Sequence, residues 1–106
     1  MAARLSFTTV AVLKAIADGS RYGFDVMEAA GLPSGTVYPI LGRLDEGGYV
    51  RSQWEPATVA QKARRPARRY YEVTTSGRRA LAESLAHYRT LGGRIPLSPR
   101  PAKAGG

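Results

Sequence analysis

Three helix-forming segments come first in this chain, two strand-forming segments follow, and one more helix-forming segment comes after them. Residues 5–17, 21–30 and 34–46 carry apolar side chains at helical spacing and are separated by short turns that contain glycine. Residues 49–54 and 69–73 carry β-branched and aromatic side chains in partial alternation, which is typical of strands. A chain of 106 residues is long enough for one domain built from these elements and too short for two.

The third segment, residues 34–46, has the clearest helical pattern. Four apolar residues fall within about 100° of one another on a helical wheel: Val37, Ile40, Leu41 and Leu44. We expect Ser34 to be the N-cap, because serine is favoured there. The opposite face collects small and polar residues, with two more on its flanks: Gly35, Pro39, Gly42, Arg43 and Glu46, flanked by Thr36 and Tyr38. Pro39 removes a backbone donor and should kink the helix, and such a break in the local rules often marks a functional surface.

The positive charge of the chain is concentrated in one region. The net charge is +8, but residues 1–55 have a balance of −1. Residues 56–80 contain seven basic residues and Glu72 as their one acidic residue. Most of this charge lies in the connection between the strands, residues 55–68, which is long for a hairpin loop. The distribution predicts a polyanionic partner.

Several function classes are disfavoured by what the sequence lacks. There is no cysteine and a single histidine, His87, so we expect no disulfide, no metal site and no cofactor. The sequence shows no glycine-rich phosphate loop, nucleophile elbow or Ser/His/Asp set, so we predict that the chain is not an enzyme. No signal peptide or membrane-spanning run is visible, so we expect a cytoplasmic protein without a membrane partner.

Three helices followed by a two-stranded hairpin make up the winged helix-turn-helix arrangement. The sequence therefore predicts an α+β fold, mostly α, with three helices, a two-stranded wing and one C-terminal dimerisation helix. We divide the chain into a winged-helix DNA-binding domain (residues 1–74), the dimerisation helix (residues 75–92) and a flexible basic tail rich in glycine and proline (residues 93–106).

The expected partner of this fold is double-stranded DNA. The third helix would enter the major groove, where Thr36, Tyr38 and Arg43 could reach bases, while Ser34 and the helix N-terminus suit a phosphate. The basic residues of the wing would contact the phosphate backbone: Lys62, Arg64, Arg65 and Arg68. Two alternatives remain open, a winged-helix protein–protein interaction module and a basic RNA-binding protein.

The C-terminal helix predicts a homodimer. It carries an apolar stripe that a small domain would leave exposed together with the apolar surface of the first helix, and exposed patches of this kind mark association sites. The expected interface residues are Leu5, Val12, Leu81, Leu85, Tyr88 and Leu91. A twofold dimer would place two recognition helices about 34 Å apart. The alternative is that the stripe packs within its own domain.

Three stretches of the sequence resemble the PadR-like family of transcriptional regulators. They are Tyr22-Gly23, then Gly35–Leu44 (which contains Gly-Thr-Val-Tyr-Pro) followed by Glu46–Val50, and last the stretch Arg69–Leu81, which begins Arg-Tyr-Tyr-Glu-Val-Thr-Thr-Ser-Gly. The resemblance covers roughly residues 7–90. It implies a winged-helix repressor that dimerises through its C-terminal helix and binds a palindromic operator. Its recognition-helix positions fall on Ser34, Thr36, Tyr38, Pro39 and Arg43, and we add Tyr22 and Gly35 to the candidate DNA-binding residues.

Trp54 is the one tryptophan of the chain and lies on the first strand. We expect it to pack between the wing and a helix. The alternative is that it stacks on a small aromatic effector.

Overall fold

The structure, a computed structural model, describes residues 5–90. The elements in chain order are α1 (Phe7–Ala17), α2 (Gly23–Ala30), α3 (Ser34–Glu46), β1 (Val50–Trp54), α4 (Ala57–Lys62), β2 (Arg69–Val73) and α5 (Thr75–Thr90). The two strands pair antiparallel, in a register that runs from Val50 opposite Val73 to Trp54 opposite Arg69. The predicted mostly helical α+β architecture with a two-stranded wing is confirmed.

The core lies between α1, α2, α3 and α5, and the strands cover one side of it. In α1, Val10, Val12 and Leu13 are fully buried. All four apolar residues of the stripe predicted on α3 are buried as well. Burying a side chain of this size contributes about 1.5–3 kcal/mol, so these residues hold the exposed face of α3 in a fixed orientation.

The start of α3 differs from the prediction. Pro33, in an extended conformation, is the N-cap, and Ser34 is the first helical residue. The Pro33 carbonyl accepts hydrogen bonds from the backbone N–H groups of Thr36 and Val37, both at 3.0 Å, so the helix begins one residue earlier than expected. The prediction of Ser34 as N-cap is therefore wrong. The helix continues through Pro39 to Glu46.

The connection between the strands contains a helix that the sequence did not predict. Its six residues, Ala57–Lys62, bury Ala60 and are followed by Arg64 with φ 57°. A helix this short shows no apolar periodicity in the sequence, which is why residues 55–68 read as a loop. We call residues 55–68 the wing loop.

The C-terminal helix packs on α1 of the same chain. Val12 is 0% exposed and Leu81 is 7% exposed. The Tyr88 hydroxyl donates to the Leu5 carbonyl at 2.8 Å, and its ring meets that of Phe7 edge-on at 5.1 Å. The expectation that the whole stripe is exposed in a monomer is therefore wrong, because α1 covers much of it. Leu91, the predicted tail and the last residues of the predicted dimerisation helix lie outside the described residues.

Candidate nucleic-acid interface

The start of α2 is joined to β2 and α3 by backbone and ring contacts. Tyr22 forms an isolated antiparallel bridge with Tyr70 of β2, and the Tyr71 N–H donates to the Arg21 carbonyl at 2.8 Å. At the next residue, a Cβ on Gly23 would overlap the ring and hydroxyl of Tyr38 in α3. Glycine at this position lets the two helices of the helix-turn-helix approach closely, which gives the Tyr22-Gly23 pair a structural reason.

The exposed face of α3 has the composition that the sequence predicted. Gly35, Pro39, Gly42, Arg43 and Glu46 are exposed, and Thr36 on the flank is half-buried. Tyr38 is 50% exposed, with its ring resting against Gly23. Apart from its chain neighbours and the backbone of α3 itself, a Cβ on either Gly35 or Gly42 would have no atom of residues 5–90 within 4 Å. The backbone of α3 is therefore accessible to a large partner along this face.

A polar network fixes the wing relative to α3. The Ser52 hydroxyl on β1 donates to Asp45 Oδ2 in the last turn of α3 at 2.7 Å. Arg69 on β2 donates to the Ser52 hydroxyl at 3.1 Å and to Asp45 Oδ2 at 3.4 Å. One carboxylate thus connects the helix to both strands. This role of Asp45 was not predicted, because it depends on which residues meet across the strands.

An aromatic groove of about 380 Å³ lies between α2, α3 and the wing. It is lined by Tyr22, Gly23, Phe24, Tyr38, Trp54, Tyr71 and residues 65–69 of the wing. Tyr38 belongs to the exposed face of α3 and residues 65–68 belong to the basic wing loop. The groove therefore places the two predicted binding elements on the same side of the molecule.

Trp54 does not pack as the sequence analysis expected. Its side chain is 59% exposed at the groove, and the Arg69 guanidinium lies 5.2 Å from its ring centre. The prediction that Trp54 is packed between the wing and a helix is wrong, because its ring lines the open groove instead of being covered. Stacking of an aromatic effector on this ring stays a prediction.

The four basic residues predicted for the wing occupy different environments. Lys62 and Arg64 are exposed. The Arg68 guanidinium lies 4.1 Å from the centre of the Tyr22 ring. Arg65 forms a two-pronged ion pair with Glu55, at 2.7 and 2.9 Å. The hydrogen bonds from Arg65 lower the pKa of Glu55 to about 2. Glu55 was not among the predicted site residues, although it is the one acidic residue of the wing loop.

Two features are absent from the described part of the chain, a cluster of metal-binding side chains and a membrane-spanning helix. Among residues 5–90, no group of three or more His, Cys, Asp or Glu residues could hold a metal ion. None of the helices described is long and apolar enough to cross a membrane.

Solved structures with the same architecture come from several bacteria. A PadR-like transcription factor from Bacteroides fragilis is 26% identical, with a TM-score of 0.66 over 79% of this chain and 82% of that one. A PadR family transcriptional regulator from Eggerthella lenta is 25% identical, with a TM-score of 0.63 over 81% and 78% of the two chains. A PadR family transcription regulator from Clostridium difficile shares the fold at 18% identity, with a TM-score of 0.70 over 82% and 92%. No curated protein sequence matches the chain significantly.

The model of the transcriptional regulator PadR-like family matches residues 12–83, which is more than half of the chain. The matched region runs from α1 into α5 and includes the whole helix-turn-helix and the wing. The family consists of transcriptional regulators, so the prediction that the chain is not an enzyme is confirmed. The chain belongs to the PadR-like family of transcriptional regulators.

Proposed function

We propose that this protein is a cytoplasmic, sequence-specific repressor that binds a palindromic operator as a homodimer. In this proposal α3 enters the major groove and the wing loop follows the phosphate backbone. The aromatic groove carries the proposal, because Tyr38 of α3 and Arg68 of the wing loop line it from two sides. One duplex can therefore contact both elements at the same time.

The face of α3 suits direct reading of bases. Tyr38 and Arg43 project from a face on which Gly35 and Gly42 carry no side chain. The backbone of α3 can therefore come close to the base edges in the major groove of the DNA. An arginine on such a face can bond guanine through two acceptors, which discriminates against other bases by about 1–3 kcal/mol. Thr36 flanks the same face, while Ser34 and the first N–H groups of the helix suit a phosphate.

The wing supplies contacts that do not depend on sequence. Lys62 and Arg64 are exposed, and Arg68 is held on the Tyr22 ring at the edge of the aromatic groove. Cations of this kind neutralise phosphates and release counterions, so binding becomes weaker as salt is raised. Three wing contacts and two contacts from α3 in each protomer predict a slope of log K against log salt near about −9 for the dimer.

The proposed dimer interface is the apolar surface that stays exposed after α5 has packed on α1. Leu5, Leu85 and Tyr88 are partly buried, and Phe7 is 41% exposed beside Tyr88. Leu5 and Phe7 both contact Tyr88, and Leu85 precedes Tyr88 by three residues on α5. Val12 and Leu81 belong to the core beneath them. We expect Leu85→Arg to give a monomer in analytical ultracentrifugation while its helical circular dichroism stays unchanged. An unchanged mass would show that α5 does not form the dimer interface.

Selection of bound duplexes from a random DNA pool tests the proposal. We expect a symmetric consensus whose half-sites lie about one helical turn apart, as two recognition helices on one dimer require. The selected duplex is then titrated over a range of salt, next to an A-form RNA duplex of equal length. A salt-independent affinity, or equal binding of the RNA, would contradict DNA recognition and favour one of the two alternatives.

A further inference from the structure

A single carboxylate, that of Glu55, joins the two ends of the wing loop. We call this pair of ends, Glu55 and Arg68, the neck of the loop. Glu55 is the first residue of this loop and Arg68 is the last. The Glu55 N–H donates to the Arg68 carbonyl at 2.8 Å, and the Arg68 N–H donates back to Glu55 Oε1 at 3.2 Å. The two ends of a 14-residue connection are therefore joined through one residue.

The same carboxylate takes up the fork of Arg65. The two terminal nitrogens of Arg65 reach the two oxygens of Glu55, and the Tyr70 hydroxyl donates to Oε2 at 3.2 Å. The Glu55 side chain is only 4% exposed, so water screens this pair little. An arginine whose fork is filled by a carboxylate cannot offer the same two donors to a phosphate. Arg65 is thus set apart from the other basic residues of the loop.

The closure determines where the remaining positive charges lie. Lys62 ends α4 and Arg64 follows it in the turn that leads into Arg65. The guanidinium of Arg68, whose backbone forms one side of the neck, stacks on Tyr22. If the neck opened, these side chains would have to be ordered again on binding, at a cost in conformational entropy.

We propose that Glu55 is a positioning residue for DNA binding, which closes the wing loop, removes Arg65 from the phosphate contacts and presents the other three basic residues in a fixed arrangement. This inference rests on the proposed function. It predicts that removing a negative charge from the wing loop weakens DNA binding, which is the opposite of the simple electrostatic expectation. Glu55→Gln removes a negative charge from the basic loop, which on electrostatic grounds alone would strengthen binding to DNA.

The first experiment measures the affinity of Glu55→Gln for the selected duplex at fixed salt. We expect binding to weaken about tenfold, because the loosened loop must be ordered again on the DNA. The matched control is Glu72→Gln, which removes an exposed carboxylate on β2 that lies 3.7 Å from Arg51. This control changes the net charge by the same amount and should bind at least as tightly as the wild type. Tight binding by Glu55→Gln would overturn the proposal.

The second experiment tests whether DNA binding depends on the two-pronged ion pair of Arg65 rather than on its charge alone. Arg65→Lys keeps the charge but loses the fork, so we expect it to weaken binding as Glu55→Gln does while the salt slope stays unchanged. Arg64→Ala, one residue away, should lower the slope by about 0.9 in each protomer. An Arg65→Lys variant that binds like the wild type would overturn the proposal. If Glu55→Gln fails to fold, as judged by circular dichroism, Arg65→Lys carries the same test.

A third measurement needs no DNA. Lys62 and Arg64 are trypsin sites in the wing loop, and an open neck should expose them to the protease more often. We expect faster cleavage there in Glu55→Gln and Arg65→Lys than in the wild type or in Glu72→Gln, followed by mass spectrometry. If the wild type binds no duplex, the proposed function fails and cleavage still tests the closure. Wild-type cleavage rates in both variants would overturn the closure itself.

Discussion

Arg64 occupies a backbone position that favours glycine, and this predicts a substitution that stabilises the fold and weakens DNA binding. The N–H of Arg65 donates to the Ala60 carbonyl and the N–H of Arg64 donates to the Gln61 carbonyl, which is the Schellman pattern at the end of α4. In this pattern the residue with positive φ is usually glycine, yet here it is Arg64 with φ 57°. A side chain in this conformation costs about 1–2 kcal/mol.

The magnitude of the effect of Arg64→Gly follows from two opposing quantities. Relief of the strain contributes about 1–2 kcal/mol, and the larger conformational freedom of glycine in the unfolded chain offsets about 0.5–1 kcal/mol of it. We expect a net stabilisation of about 0.5–1 kcal/mol, which raises the Tm of a domain of this size by about 2–8 °C. The lost cation should lower the salt slope by about 0.9 in each protomer and weaken binding to every duplex alike.

Thermal unfolding followed by circular dichroism and fluorescence anisotropy with labelled duplex at several salt concentrations measure the two effects separately. Arg64→Ala is the matched control, since it loses the same charge but keeps a Cβ at positive φ. It should lose affinity as Arg64→Gly does, without the rise in Tm. If Arg64→Gly lowers the Tm, the conformation of Arg64 is not strained. If neither variant changes the salt slope, Arg64 contacts no phosphate.

Three further predictions concern the helix contact, the buried carboxylate and the aromatic groove. Gly23→Ala should destabilise the fold by about 1–3 kcal/mol in urea unfolding and displace Tyr38, whereas Gly35→Ala, which meets open space, should fold normally. Because the pKa of Glu55 is about 2 in the fold against 4.5 ordinarily, its stabilisation is complete above pH 4.5 and is lost as the pH falls from there towards 2. Unfolding of Glu55→Gln should therefore differ from the wild type at pH 7 and converge with it near pH 2. Binding of duplex should change the fluorescence of Trp54, the one tryptophan, and an unchanged spectrum at saturation would place the DNA away from the aromatic groove.

Most of the fold was predictable because its signals are local. The apolar residues of α3 repeat every three to four positions, so their common burial follows from helix geometry alone. The boundaries of the long helices and of both strands agree with the sequence prediction within about two residues, the usual uncertainty of element ends. The short helix α4 was missed for the opposite reason, since six residues with one buried side chain carry no period.

The candidate interface was predictable only in part. Periodicity indicated that Tyr38 and Arg43 lie away from the core, and the concentration of charge indicated that the wing is basic. Periodicity could not show that Val12 and Leu81 are covered within the same chain, because that depends on how closely α5 approaches α1. The surface left for a dimer is therefore smaller than the apolar pattern of α5 indicated.

The order of helices and strands and the family membership were contained in the sequence, because both depend on residue types at short spacings. Which of two neighbouring arginines faces solvent was not. Arg64 and Arg65 are identical in type and adjacent, and they differ because Glu55, ten residues before Arg65, meets one of them when the wing loop closes. An ion pair across a loop depends on the path of the backbone between its partners, and only the tertiary structure decides that path.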